Sequence, residues 1–311
     1  MNISVVVATH RREELLTRTL ASLATCSFPD GYAHTIVVEN GTRGAASTIV
    51  ENASPRLRAR YLFEPVANKS TALNRALADV DDGLVVFIDD DVRFSPGFLQ
   101  HYASAAGSHG EGHTFGGPVA ADYEEPPPTW LHRYLPASAI GWTLEERDAY
   151  DRRMSFLGFN WAAFRRDLRA AGEFSSDFGP GSLTGSVGQE SEMQRRLHAA
   201  GIVPIYLPDA LVYHWVPRTR CSPEFALERA YKEGIRVALL DGGLERWRVL
   251  GIPVRRLERL VQSWAVVHFR RAVGTADALF VARFQHARQK GLLKGYRLAR
   301  SRSRTGNVRT R

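Results

Sequence analysis

The sequence predicts an α/β protein: a mostly parallel, nucleotide-binding type of sheet flanked by helices, followed by a basic helical extension at the C-terminus. Three observations carry this expectation. Short apolar runs alternate with helix-like segments through the first third of the chain, as βαβ units require. The strand-like run Val85-Val86-Phe87-Ile88 ends abruptly in the three carboxylates Asp89, Asp90 and Asp91. Residues 251–311 hold 15 Lys and Arg against only Glu258 and Asp277, a local charge of +13 that leaves the preceding 250 residues at −5 within a total of +8.

Taken in order, residues 3–8 (ISVVVA) read as a buried strand, 13–23 as a helix, 35–38 as a second strand and 60–63 as a third. Residues 68–78 read as a helix and 84–88 as another strand. Strands that are apolar throughout, separated by helices, belong to sheets covered on both faces. Ligands of such sheets bind beyond the carboxyl ends of the strands, where Thr9, His10, Glu39 and Asp89 to Asp91 fall. The character changes at Pro126-Pro127-Pro128, which cannot continue a helix or a central strand. Beyond it Trp130, Tyr134, Trp142 and Tyr150 recur among Pro, Gly and charged residues, and either line a sugar or acceptor site or pack in the core.

After Pro253, Leu257, Leu260, Val261, Trp264 and Val267 follow helical spacing with Arg255, Arg256, Arg259 and Arg270 around them. This amphipathic basic helix either packs its apolar stripe on the core or lies against an anionic membrane surface. The last dozen residues have no apolar face and are expected to lack structure. The predicted organisation is a nucleotide-binding type of α/β half over 1–122, a second half of different character over 123–240, a helical basic extension over 241–300 and a disordered tail over 301–311.

Composition bounds the function. A chain of 311 residues, 44% of them hydrophobic, buries a large core, so disorder is excluded as the default. Cys26 and Cys221 are too few for a disulfide framework and match no zinc-ligand spacing, and no apolar stretch reaches the length of a membrane span. The expectation is a cytoplasmic protein, with attachment to the inner face of the membrane as the open alternative. The acidic main body argues against a nucleic-acid partner.

Two constellations carry chemistry. Packed carboxylates at a strand end repel one another unless a cation or a donor network stabilises them, and hard divalent cations take oxygen ligands. Asp89 to Asp91 therefore read as a site for Mg²⁺ or Mn²⁺ with a diphosphate, or else as a polar turn before Ser95-Pro96. Downstream, GSVGQESEMQRRLHAAGI (185–202) runs from a Gly-rich loop into Glu190 and Glu192 at a helix start. Acidic residues suit that position electrostatically, and a carboxylate there can also be aimed at a bound hydroxyl as a general base.

Four pieces in order resemble glycosyltransferase family 2, in its bacterial members, over roughly residues 1–240: ISVVVATHRREELLTRTLASL, VVENGT, NKSTALNRAL, and FIDDDV followed by GQESEMQRRLHAAG. The resemblance implies the GT-A fold and an inverting, metal-assisted transfer of a sugar from a nucleoside diphosphate, UDP first and dTDP or GDP next. The acceptor would be the hydroxyl of a saccharide, a lipid-linked saccharide or a natural product.

On this resemblance Asp89 lies near the ribose, Asp90 belongs to the donor site, and Asp91 holds the cation, Mn²⁺ or Mg²⁺, with His214 as an added ligand. The family's acidic loop aligns on Gly188-Gln189-Glu190-Ser191-Glu192, where Gln replaces the first acid and Glu the central Asp, and it places Glu190 as catalytic base. Thr9 and Arg11 are similar to residues lining the nucleotide pocket, Glu39 to an acid facing the base, and Asn68 and Asn74 to residues near the diphosphate. Gly158, Phe159, Asn160, Trp161 and Glu192 are similar to the acceptor side.

The first strand is followed by THRREELL and has no G-x-G-x-x-G, against a dinucleotide-dependent dehydrogenase or a methyltransferase; the basic phosphate loop of a pyrophosphorylase is also missing. A sugar-nucleotide-binding protein without catalysis remains the alternative, motivated by Gln189 and Glu190.

Overall fold

The computed structural model describes residues 1–144, 154–241 and 247–306. Tyr150 and the last five residues of the expected tail lie outside these. The chain divides into two compact units, the first made of Met1–Glu124, Ala137–Gly181 and Gly188–Val216, the second of Glu125–Pro136, Ser182–Val187 and Pro217–Arg311.

In the first unit the strands are β1 (Ile3–Thr9), β2 (Tyr32–Asn40), β3 (Arg60–Glu64), β4 (Leu84–Asp89), β5 (Val92–Phe94), β6 (His113–Gly116), β7 (Val119–Tyr123), β8 (Trp161–Phe164), β9 (Val203–Tyr206) and β10 (Val212–Val216). Its helices are α1 (Glu13–Ala24), α2 (Ala46–Glu51), α3 (Lys69–Ala78), α4 (Phe98–His109), α5 (Ala137–Ile140), α6 (Arg165–Ala171) and α7 (Gln189–Ala199). The main sheet has the order β3-β2-β1-β4-β8-β6-β9, parallel except that β8 runs against both of its neighbours. A smaller sheet has the order β5-β10-β7.

The predicted elements of the first third are all present, with ends moved by one to three residues. All seven residues of β1 are buried, as the unbroken apolar run ISVVVAT requires of a strand covered on both faces. Alternation then sorts its side chains into two cores. Val5 and Val7 pack with Leu16, Leu20 and Leu23 of α1, while Val6 and Ala8 pack with Ala72, Leu73 and Ala76 of α3 and with Met193 and Leu197 of α7. Helix α3 starts where it does because the Asn68 side chain accepts hydrogen bonds from the backbone N–H groups of Ser70 and Thr71.

The sheet order reverses direction between β1 and β4, and a crevice opens beyond the carboxyl ends at such a point. Register lines those ends up: Thr9 lies opposite Glu39 on β2, and Ala8 opposite Asp89 on β4.

In the second unit α8 (Pro223–Leu240), a short hairpin of β11 (Arg248–Val249) and β12 (Ile252–Pro253), α9 (Val254–Val273) and α10 (Ala276–Gly306) follow one another. Glycines let α8 and α10 touch backbone to backbone: a Cβ on Gly291 would lie 1.9 Å from the Tyr231 carbonyl oxygen, and one on Gly234 2.3 Å from that of Arg288. Ala238, Ile252, Leu292 and Tyr296 form a small core there. Trp130 and Tyr134 pack edge-on against Phe280, and in the first unit Trp142 packs against Phe156 and Tyr206, so these aromatics serve packing. No helix among the described residues is long and apolar enough to cross a membrane.

Candidate active site

The three aspartates at the end of β4 are each held by a different set of donors. Asp90 is buried, accepts a hydrogen bond from Thr9 Oγ1 at 2.7 Å and pairs with Arg12 Nη1 at 2.6 Å. Burial pushes its carboxyl up to about 6, Arg12 pulls it down, and Asp91 adds to the rise. Asp91, also buried, accepts from the same Arg12 Nη1 at 2.8 Å, and His214 Nε2 lies 3.5 Å from its other oxygen. Asp89, about one-fifth exposed, pairs with the ammonium of Lys69.

Lys69 joins the two sequence motifs. Burial disfavours its charge, but Asp89 by charge and hydrogen bond, then Glu190 and Asp91 by charge, outweigh burial and hold its pKa above the ordinary lysine value. The acidic end of β4 and the carboxylate at the start of α7 thus both raise the pKa of one ammonium. Local geometry brings them there. The Lys69 N–H donates to the Pro180 carbonyl, Ser70 Oγ to that of Phe178 and Asn68 Nδ2 to that of Ser176, which ties the loop before α7 to the start of α3. Gly188, in the left-handed region at φ 83°, turns the chain into α7. A Cβ on Gly158 would lie 3.0 Å from Glu190 Cγ and Cδ, so the loop before β8 backs the half-buried Glu190 side chain.

Neither Lys69 nor Arg12 stands out in the sequence, where the family resemblance points to Arg11 instead. Arg11 is exposed and sits in the left-handed region at φ 52°, a turn after which Arg12 reaches the aspartates. One signal was legible for Lys69: a cation in the first turn of a helix opposes the helix dipole, so its presence there needs a partner.

Other expected residues lie elsewhere or are engaged inside the fold. Glu39 is buried, with one oxygen accepting from the Gly44 N–H at 2.6 Å and the other from Tyr61 OH at 2.7 Å. Both ends of the Asn74 amide are bonded to the backbone of Phe174, so it braces a loop. Asn160 is fully buried, accepts from Tyr102 OH at 2.7 Å and donates to the Pro118 and Ala210 carbonyls at 2.9 Å; it ties strands together and presents nothing to an acceptor. Trp161 stacks on Phe87 at 4.6 Å with 1% exposure, a core residue where an acceptor platform was expected. Glu192 is buried and paired with Arg196 one helical turn on, at 2.8 Å, in place of an acceptor contact.

Asp91 and His214 supply a hard oxygen and an imidazole nitrogen side by side, donors that suit a divalent cation. Among the described residues they belong to no cluster of three or more Asp, Glu, His or Cys able to ligate a metal. Such a set fits a cation that completes its shell with water and phosphate oxygens, the habit of Mg²⁺.

A parallel sheet whose switch-point crevice carries an acidic strand end, faced by a second carboxylate on a helix start, defines a GT-A-like glycosyltransferase fold. The family model for glycosyl transferase family 2 matches residues 4–171, and the chain belongs to that family. It is 30% identical over 242 residues to the succinoglycan biosynthesis protein ExoM of Rhizobium meliloti, covering 75% of this chain and 73% of that protein. Among solved structures, the mannosyltransferase PcManGT of Pyrobaculum calidifontis, in complex with GDP-Man and Mn²⁺, superposes with a TM-score of 0.57 at 19% identity over 98% of this chain and 87% of its own. TarS of S. aureus matches at a TM-score of 0.53 and 19% identity over 97% of this chain, which spans 55% of the TarS chain; its 1–349 fragment was solved with UDP-GlcNAc.

Proposed function

We propose that the protein transfers a sugar from a nucleoside diphosphate, a UDP-sugar first, to a saccharide hydroxyl with inversion at the anomeric carbon, and that Glu190 is the general base. The observation that carries this reading is that Lys69 pairs with Asp89 while its backbone N–H donates to the Pro180 carbonyl, so the start of α3 joins the acidic end of β4 to the loop that leads into Glu190. A base and a donor motif joined in this way can act on the two ends of one reaction.

The donor diphosphate is placed beyond β4, beside the positive end of α3. Thr9 is on the nucleoside side, and Glu190 accepts the acceptor's proton as the hydroxyl attacks the face opposite the departing diphosphate. Asp91 and His214 would hold a divalent cation, Mn²⁺ or Mg²⁺, which when bound stabilises charge on the leaving group. Support for the nucleotide comes from the TarS fragment with UDP-GlcNAc, and for the cation from PcManGT with Mn²⁺. The name of the ExoM relative supports a growing polysaccharide as acceptor.

Glu190→Gln tests the assignment. General-base contributions are about 10²- to 10⁴-fold, so turnover should fall by that factor while nucleotide-sugar affinity stays within about twofold. Glu192→Gln is the control, two positions away and already paired with Arg196. Normal turnover in Glu190→Gln with loss in Glu192→Gln would move the base to Glu192. Donor binding by the wild-type chain without transfer or hydrolysis over a broad acceptor panel would leave a binding protein.

A further inference from the structure

Helix α9 carries two apolar stripes, and one of them faces away from the rest of its unit. Leu257, Leu260, Ser263 and Val267 are half-buried; Leu257 packs on the core of Ala238, Ile252, Leu292 and Tyr296, and Ser263 Oγ lies 2.9 Å from His286 Nδ1 of α10. The second stripe runs at successive helical turns through Val261, Ala265, Phe269 and Val273. Val261 is 64% exposed, Phe269 61% and Val273 69%, with Trp264 and Val266 exposed on its borders, and no residue of α9 is buried.

Charge decides what can cover such a face. At 100° per residue Arg255, Arg259 and Arg270 fall along one border of the stripe and Arg271 beyond the other, all exposed, while Glu258, the one acid in the helix, is exposed on the line of the stripe itself one turn before Val261. A second copy of this chain seated face to face would bring the same arginines together, and like charges in an interface oppose association. A nucleic acid would satisfy the arginines but leave the apolar stripe in water. An anionic bilayer satisfies both, because the stripe enters the boundary between headgroups and acyl chains while the arginines stay among the headgroups and Trp264 sits at that depth.

We infer that α9 is a docking surface for an anionic lipid bilayer and lies in the plane of the membrane surface. This is independent of the catalytic reading, since it concerns the second unit alone and its test contains no turnover.

The full chain is sedimented with vesicles of phosphatidylcholine alone or of phosphatidylcholine mixed with phosphatidylglycerol. Recovery with the mixed vesicles is expected to exceed that with the neutral ones and to fall with added salt. An arginine near an anionic surface contributes about fivefold in partitioning, so Arg255→Gln with Arg259→Gln should weaken binding roughly 25-fold. Val261→Ser with Phe269→Ser removes the apolar part, with an expected loss of about tenfold or more. All four side chains are exposed, so thermal unfolding serves as the control and should not move. Equal recovery with the two vesicle types overturns the inference, as does full binding by the Val261→Ser, Phe269→Ser variant. So does self-association or RNA binding that these substitutions abolish in a chain with no affinity for vesicles.

Discussion

Replacing Lys69 by Met tests whether its ammonium is what allows so many carboxylates to share the end of β4. The side chain is 14% exposed and pairs with Asp89, itself 20% exposed, with Glu190 and Asp91 adding to the field. Removing one partner of a buried ion pair costs about 3–5 kcal/mol, because the other charge is left uncompensated. The partial exposure of Asp89 lets water screen some of that, so about 3 kcal/mol is expected. For a unit of this size that corresponds to a fall of roughly 6–12 °C in the midpoint of thermal unfolding. Hydrogen exchange should show lost protection in β4 and α3 and little change in α8. Asp89→Asn provides the second arm of a double-mutant cycle. The two changes should couple by about 1–3 kcal/mol, since together they remove both charges of the pair and leave neither one buried alone. An unchanged midpoint for Lys69→Met, with strictly additive effects in the cycle, would refute the argument and reduce Lys69 to a solvated helix start.

Two further outcomes follow from the geometry. Asp91→Asn should abolish the part of UDP binding that depends on Mn²⁺, read as loss of the Mn²⁺-dependent thermal shift; retention of that shift would remove Asp91 from the cation site. Gly291→Ala places a methyl group 1.9 Å from the Tyr231 carbonyl, so α10 must move off α8 at a cost of about 1–3 kcal/mol, and faster hydrogen exchange across α8 is the check. Unchanged exchange there would show that the helices do not rely on close approach.

The first third of the chain was legible because its signals are long and agree with one another: seven buried residues in β1 and an unbroken apolar run in β4. Trp161 was misplaced because it was weighed singly. Read with Ala162, Ala163 and Phe164 it is a short apolar run, the pattern of a buried strand. Glu192 could have been read from its spacing to Arg196, an i, i+4 ion pair. Asn160 could not, since its three partners, Tyr102, Pro118 and Ala210, are 42 to 58 residues away in sequence. In α9 helical periodicity showed an amphipathic helix with one apolar stripe, but of its members Val261 and Trp264 are exposed while Leu257, Leu260 and Val267 are half-buried. Two apolar stripes on one helix look alike until a neighbour chooses between them.

The run of apolar residues into three aspartates at the end of β4 has a physical explanation in charge balance. Asp89 has Lys69, Asp90 and Asp91 share Arg12, and the charge of Glu190 also raises the pKa of Lys69. Burial raises the Asp90 carboxyl to about 6 and the neighbouring Asp91 adds to the rise, while Arg12 opposes it. A nucleoside diphosphate brings further negative charge to the same place, and in a partly desolvated site like charges a few ångströms apart repel by several kcal/mol. The helix dipole of α3 supplies only about half a positive charge. If the proposed donor binds here, Asp91 with His214 is the oxygen and nitrogen pair that would hold a divalent cation beside it. Lys69 and Arg12 make the acidic cluster compatible with a folded, buried strand end.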